Sequence, residues 1–289
     1  MKSFCIKTNN NAILDYLLTE IQKLSIDGVY ASKNTFKYYK NVIVHYTGYS
    51  TELFISELAD ILAECIIKYY ERGIVKRVIS CDFSYFNDNE KAAIFSNCAE
   101  LLNANDTDEL ALRKGKIKKC VSEYIDENKF FILDGFVNFR LFEYNSLLEE
   151  CVDLAVNKFI VDREYREFIS LLKTFVNSQN CKTRMVHIIY SVADPILLDE
   201  NQEILNYNIE LQQPRYLSDI SFSANDYCLN SLLNLLPKNI IIHLLTSEDE
   251  FIETLKLIFG DRIKICTDCN ICKTFELVNE QKKNPLLSK

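Results

Sequence analysis

The chain has 289 residues, with 33 basic and 41 acidic side chains, a formal net charge of −8 and a hydrophobic share of 48%. This share excludes a disordered chain, because disorder goes with low hydrophobicity. No apolar run reaches the roughly 18 residues of a membrane-spanning helix, and no signal sequence opens the chain. We therefore expect a soluble, cytoplasmic protein without membrane insertion. The negative charge argues against nucleic acid as a partner, since that surface would be basic.

Residues 1–81 predict an α/β region. A strand at 3–8 precedes a helix, and two further strands follow at 29–32 and 42–46. A long helix is predicted from residue 51 to residue 72, where Gly73 would end it, because glycine readily adopts the left-handed conformation that follows many helices. Residues 75–81 then predict another strand.

Residues 82–180 predict a helical middle. The charge run at 113–119, which begins with Arg113, is interpreted as a solvated helix face. Ser146 and Glu149 form a capping-box pattern that would open one helix, and Asp162 would cap the next. The 3.6-residue period of that second helix predicts three core residues: Phe168, Ile169 and Leu172.

Residues 181–279 predict a second α/β region, and residues 280–289 a frayed tail. A strand at 185–192 precedes a hairpin around a polar turn at 199–202. A helix stopped by Pro237 follows, and then a strand, a helix capped by Ser247 with Glu250, and a last strand at 262–266. This strand–helix–strand order favours a right-handed crossover between parallel strands. The predicted fold class is therefore α+β, with mixed α/β regions at both ends flanking the helical middle.

Three cysteines beyond the last strand form the most specific local pattern, C-x-x-C-x-x-C at Cys266, Cys269 and Cys272. Closely spaced thiolates hold zinc or iron–sulfur clusters, and a Cys3His zinc site would need His243 of the preceding strand as its fourth ligand. The alternative is three reduced thiols in a terminal loop. We favour the thiols and no cofactor, because strand parity places the His243 imidazole on a covered face, toward apolar neighbours. The expectation is substoichiometric metal in the purified protein.

The other candidate residues give weaker signals. His45, His187 and His243 all fall within predicted strands, where an imidazole is typically a sheet-face or core residue; Asp194 is a candidate neighbour of His187. No nucleophile motif accompanies them, so no catalytic residue is predicted, and the chain is more simply explained as a protein that is not an enzyme.

Aromatic residues and an arginine are concentrated at 134–144. If this segment is helical, one face carries Phe136, Phe139 and Arg140. The aromatic rings could then stack on the guanidinium plane of Arg140. The functional interpretation is an anion-binding or partner-binding site, and the structural one is a buried arginine paired with a carboxylate.

Four segments together resemble the sporulation protein YtxC family of endospore-forming bacteria: residues 132–144 (ILDGFVNFRLFEY), 163–175 (REYREFISLLKTF), 186–190 (VHIIY) with 197–199 (LLD), and 261–272 (DRIKICTDCNIC). The family pattern has glycine before the second terminal cysteine, where this chain has Asp268, and this difference argues against a tight metal-binding turn. The resemblance implies a cytoplasmic, sporulation-associated protein without an established activity and gives no catalytic residues.

Two functional hypotheses follow. The first is a non-enzymatic, sporulation-associated protein that acts through a protein partner surface. The second is a metal-binding or redox protein or enzyme centred on His243 and the three terminal cysteines.

Overall fold

The computed structural model describes residues 2–37, 39–103, 107–191, 194–205 and 223–275. The tail expected at 280–289 lies outside these residues. The chain divides into two compact units, Met1–Asp162 and Arg163–Lys289. Each unit holds a four-stranded sheet, and mostly helical sequence separates the two sheets along the chain. The predicted α+β class with a helical middle is confirmed.

The sheet of the first unit has the order β2-β3-β1-β4. Its strands are β1 (Lys2–Lys7), β2 (Val29–Thr35), β3 (Lys40–Tyr46) and β4 (Phe130–Ile132). β3 pairs antiparallel with both β1 and β2, whereas β4 pairs parallel with β1. The short β4 therefore forms one edge of the sheet. Along the chain, β4 comes after most of the helices of this unit.

Among the described residues, this unit contains the helices α1 (Asn11–Gln22), α2 (Thr51–Asp82), α3 (Asp88–Asn103), α4 (Thr107–Glu127) and α5 (Leu133–Phe139). It also contains the first part of α6 (Phe142–Ser178), which continues into the second unit. The Asn10 side chain caps α1 by accepting from the Ala12 N–H. The buried faces of α1 and α2 and the inner face of the sheet form a single apolar core, to which Leu14, Leu58 and Val44 contribute.

The predicted end of the long helix at Gly73 is wrong. α2 continues through Gly73 to Asp82, so residues 75–81 are helical and not a strand. Ile74, Val75 and Ile79 extend the buried stripe at helical spacing, and this burial outweighs the roughly 1 kcal/mol by which glycine disfavours a helix interior.

α6 is likewise continuous over both predicted caps. Ser146 with Glu149 and Asp162 all lie inside α6, so neither begins a helix. The expected core stripe beyond Asp162 is correct only in part, because Ile169 is buried while Phe168 is 52% exposed. Local capping patterns do not end a helix whose apolar stripe runs on.

Arg113 corrects the interpretation of the charge run on α4. Its guanidinium is buried, and Nη1 lies 2.8 Å from Glu71 Oε2. The hydroxyl of Tyr144 donates to the same carboxylate oxygen at 2.8 Å. One end of the predicted solvated face is therefore a buried ion pair.

The second unit holds a mixed sheet of order β6-β5-β7-β8. Its strands are β5 (Thr183–Tyr190), β6 (Ile196–Leu198), β7 (Pro237–Leu244) and β8 (Ile263–Cys266). β5, β7 and β8 are parallel, and β6 joins β5 antiparallel at the edge. The predicted parallel crossover is confirmed.

In the part of the chain that the structure describes, α7 (Ala224–Leu235) precedes β7 and α8 (Glu250–Phe259) connects β7 to β8. α7 ends before Pro237, as predicted. The cap of α8 differs from the prediction, because Asp249 and not Ser247 accepts from the Ile252 N–H. Ile240, Ile242 and Leu255 belong to the apolar core of this unit.

Among the described residues, no helix combines the length and the apolar character needed to cross a bilayer.

Candidate metal centre

Neighbouring strands bring His243 and Cys266 together. β7 and β8 run parallel, and these two residues are direct partners in the register. Directly paired residues of adjacent strands project to the same face of a sheet. Cys266 is the last residue of β8 and His243 is the last but one of β7, so both stand at the carboxyl edge of the sheet.

The other two thiols come from the segment after β8. Residues 270–275 are helical, and the Lys273 N–H donates to the carbonyl of Cys269 at 3.0 Å. A three-residue spacing on a helical turn places two side chains on the same side. Accordingly, Cys269 Sγ and Cys272 Sγ lie 3.6 Å apart.

These elements bring four potential ligand atoms to one point. His243 Nδ1 lies 3.3 Å from Cys269 Sγ and 3.5 Å from Cys272 Sγ. Cys272 Sγ lies 4.0 Å from Cys266 Sγ. All four ligand atoms lie within 4.8 Å of one another. The structure thus gathers the four residues that the sequence offered for the alternative metal site.

The orientation of His243 differs from the sequence-based expectation. The residue is buried, with 2% of its surface exposed, but its Nδ1 faces the thiols and not apolar neighbours. Strand alternation predicts the face on which a side chain lies, but it does not predict that the segment after the next strand returns to that face.

Asp268 does not prevent the close turn. Among the described non-glycine residues, positive φ is confined to Gln202 and Leu236, so the backbone at Asp268 is one that any residue adopts. The Asp268 carboxylate lies 2.8 Å from Lys273 Nζ. The turn that carries Cys269 therefore forms without the glycine of the family pattern.

Burial and mutual contacts shift the protonation of the cluster. Desolvation lowers the pKa of His243, and the neighbouring His187 lowers it further. Desolvation raises the pKa of the Cys272 thiol. It acts in the same direction on Cys269, but hydrogen bonds from backbone and thiol groups of the turn outweigh it and lower the pKa of that thiol. Metal binds the neutral imidazole and the deprotonated thiolate, so the lowered pKa values of His243 and Cys269 favour binding and the raised pKa of Cys272 opposes it.

The other two histidines have different surroundings. His45 Nδ1 lies 2.8 Å from Ser3 Oγ in the first unit. His187 Nδ1 lies 2.9 Å from His243 Nε2, and this partner replaces the Asp194 considered from the sequence. This pair is not among the predictions from the sequence, although the shared strand parity of His187 and His243 on adjacent parallel strands is a usable signal.

Phe136, Phe139 and Arg140 do not form one face. Phe136 is buried at 4% exposure, whereas Phe139 is 86% exposed. α5 ends at Phe139, and the exposed Arg140 follows as its C-cap. The Arg140 guanidinium carbon lies 5.5 Å from the centre of the Tyr124 ring, so the arginine is neither buried nor stacked on the expected phenylalanines.

A polar cleft of about 440 Å³ also opens in the second unit, lined by Tyr190, Ser191, Asp194, Ser223, Thr246 and Asp249 among others. The carboxyl ends of parallel strands commonly bind ligands. Here Tyr190 donates to Asp249, which also caps α8. This cleft is not among the predictions from the sequence.

The chain was compared with known proteins. A family model described as the YtxC-like family matches residues 56–264, a range that includes His187 and His243 and ends just before Cys266. The uncharacterised protein YtxC of Bacillus subtilis (strain 168) is 22% identical over 144 residues, which cover 48% of this chain and 49% of the relative. The chain thus spans about half the length of the curated relative that it matches. No solved structure gives a significant match. Because the family model covers well over half of the sequence, the chain belongs to the YtxC-like family.

Proposed function

We propose that the protein binds one zinc ion in a closed Cys3His site formed by His243, Cys266, Cys269 and Cys272. The observation that carries this proposal is the convergence of one imidazole nitrogen and three thiol sulfurs within 4.8 Å. The proposal departs from our sequence-based preference for metal-free thiols, because that preference assumed an imidazole turned away from the loop.

The distances suit a tetrahedral ion. Zinc binds sulfur at about 2.3 Å and nitrogen at about 2.0–2.1 Å, which implies ligand separations of roughly 3.8 Å for two sulfurs and roughly 3.6 Å for sulfur and nitrogen. The corresponding separations are 3.6 Å from Cys269 to Cys272, 4.0 Å from Cys272 to Cys266, and 3.3 and 3.5 Å from His243 to the two nearer thiols. Four of the six separations are therefore close to those of a tetrahedral zinc site, and all six lie within 4.8 Å.

A site with four protein ligands favours a structural role. Catalytic zinc usually keeps one coordination position for water or substrate, whereas Cys3His sites are closed. An ion bound here would join the helical turn at 270–275 to the ends of β7 and β8. We accordingly propose a zinc site that stabilises this end of the second unit, without hydrolytic activity.

Metal content tests the proposal. The full chain, purified under reducing conditions without added metal, is expected to hold about one zinc per chain by elemental mass spectrometry. Cys269→Ser should lose most of this metal, and the matched control Cys181→Ser, at an exposed cysteine outside the cluster, should keep it. Wild-type protein with only trace zinc, or equal zinc in both variants, would refute the site.

A second candidate function, independent of the metal site, is a sporulation-associated role in the cytoplasm through a protein partner. The observation that favours it is an exposed aromatic pair around Arg140, with Phe139 at 86% and Phe142 at 84% exposure. Aromatic residues and arginine are enriched at protein interfaces.

All eleven cysteines lie among the described residues and none forms a disulfide, which supports a reducing compartment.

Spore counts test this second candidate. In the source organism, replacing the gene by the Phe139→Ser, Phe142→Ser double variant is expected to lower the number of heat-resistant spores at unchanged protein level. Tyr49→Ser is the matched control, because Tyr49 is fully exposed and lies elsewhere in the first unit. Equal spore counts in the double variant and the control would refute the partner surface.

A further inference from the structure

A second imidazole stands directly behind the candidate ligand His243. His187 Nδ1 lies 2.9 Å from His243 Nε2, and the two rings are nearly parallel, with an angle of 11° and 5.2 Å between their centres. Both residues are buried, at 8% and 2% exposure. The contact is thus a hydrogen bond removed from bulk water, between two groups that can each donate or accept.

The position of the thiols decides the direction of this hydrogen bond. His243 turns Nδ1 to Cys269 and Cys272, so metal binding uses the lone pair of Nδ1. The proton of the neutral ring must then be on Nε2, from which it is donated to Nδ1 of His187. His187 accepts only as the tautomer protonated at Nε2. Each ring therefore requires one tautomer of the other.

We infer that His187 is a positioning residue for metal binding, whose Nδ1 fixes the tautomer and the ring orientation of His243. The inference rests on the proposed zinc site and adds a residue that does not itself touch the ion. Metal-binding histidines generally donate their second ring N–H to an acceptor, and loss of that acceptor weakens metal binding. Here the acceptor is an imidazole.

The sheet gives this pair a rigid support. His187 lies on β5 and His243 on β7, the two central strands, and Ile189 is the direct partner of His243 in their register. His187 is two residues before Ile189 and therefore projects to the same face. Because regular strands hold both backbones, the geometry does not depend on the ordering of a loop.

Two substitutions separate the hydrogen bond from packing. His187→Asn keeps an acceptor, since the amide Oδ1 is bonded to Cγ as the imidazole Nδ1 is, whereas His187→Phe keeps a ring without an acceptor. Zinc affinity is measured on the full chain by competition with a chromophoric chelator. We expect His187→Phe to bind zinc about 10- to 100-fold more weakly and His187→Asn to recover most of the loss. With Co²⁺ as the probe, the visible absorption of His187→Phe should differ from that of the wild type, and that of His187→Asn should resemble it.

Nitrogen NMR of the zinc-loaded wild type keeps the inference testable even if a variant fails to fold. His187 should show the tautomer protonated at Nε2, and His243 should be protonated at Nε2 with Nδ1 metal-bound. A His187 proton on Nδ1, or His187→Phe with wild-type zinc affinity and Co²⁺ spectrum, would overturn the role of His187 alone. Wild-type protein that binds no zinc would overturn the zinc site and this role together.

Discussion

Cys269 Sγ lies 3.6 Å from Cys272 Sγ across the first turn of a short helical segment. Cys272 is buried at 1% exposure, while Cys269 is partly exposed and is the thiol whose pKa is lowered. In a C-x-x-C pair, the accessible thiol of lower pKa is the one that attacks a disulfide. Zinc coordination would occupy both sulfurs.

This relationship predicts zinc-dependent protection from oxidation. After zinc is removed by a chelator, oxidised glutathione should oxidise the thiols of Cys269 and Cys272 to a disulfide. Each disulfide formed releases two molecules of reduced glutathione. The zinc-loaded chain should react more slowly at these two residues, whereas exposed Cys181 should react alike in both forms. Peptide mass spectrometry without reduction identifies the products. Equal rates at Cys269 with and without zinc would contradict the prediction.

The buried pair of Arg113 and Glu71 predicts a large effect on stability. Because Arg113 is the cation paired with Glu71, its loss leaves a buried carboxylate without its partner. Its loss also removes the hydrogen bond from Nη2 to the carbonyl of Leu102, which is 2.8 Å long. Arg113→Met is expected to lower the free energy of unfolding by about 3–5 kcal/mol. Urea denaturation measures the change.

Lys116 supplies the control on the same helix. Its Nζ lies 3.9 Å from Glu143 Oε2, a long contact, with the Lys116 side chain 30% and the Glu143 side chain 67% exposed. Lys116→Met should change the free energy of unfolding by less than about 1 kcal/mol. If Arg113→Met is no more destabilising than this control, the ion pair is not a stabilising contact.

The two buried histidines predict acid sensitivity of the metal-free chain. Desolvation lowers the pKa of His187 from its ordinary 6.5, more than the charge of Asp199 raises it, and the pKa of His243 is lowered as well. The folded state therefore binds fewer protons than the unfolded state. The contribution of these two histidines to the free energy of unfolding is complete above about pH 6.5, where both imidazoles are neutral in the folded and the unfolded chain. It is lost as the pH falls from the unfolded-state pKa to the lower folded-state pKa.

Urea denaturation in the presence of a chelator measures this dependence. From about pH 7.5 to about pH 5.5, the free energy of unfolding should fall, by at most about 1.4 kcal/mol per pH unit for each histidine. The His187→Phe, His243→Phe double variant should show a shallower profile over this interval. A profile as steep as that of the wild type would place the acid-sensitive groups elsewhere.

The parallel strands and the candidate ligands could be predicted from the sequence because their signals are local. Pro237 and Gly260 mark the ends of α7 and α8, and the cysteine spacing alone identifies three of the four converging residues. The fourth follows from strand order, since β7 precedes β8 in a parallel crossover.

The remaining features depend on partners distant along the chain. Arg113 is separated from Glu71 by 42 residues, and His187 from His243 by 56. A charge pattern or strand parity shows neither the partner nor the side-chain torsion angle that directs a ring nitrogen. The lengths of α2 and α6 were mispredicted for a related reason, because burial of a continuing apolar stripe outweighs a local glycine or capping signal.

Gly73 provides a direct test of the continuous α2. A Cβ atom added at Gly73 would meet nothing within 4 Å, and positive φ among the described glycines is confined to Gly28 and Gly260. Alanine is the better helix former by about 0.8–1.0 kcal/mol. Gly73→Ala should therefore raise the free energy of unfolding by about 0.5–1 kcal/mol.

Gly28→Ala is the opposite case and serves as the control in the same urea denaturation series. Gly28 has φ of +86°, and an added Cβ would lie 2.7 Å from Thr47 Oγ1, so both the backbone conformation and the available space oppose a side chain. This substitution should lower the free energy of unfolding, because alanine at positive φ is strained. If Gly73→Ala is also destabilising, the chain at residue 73 is not a helix interior, and the helix ends there as its glycine had suggested.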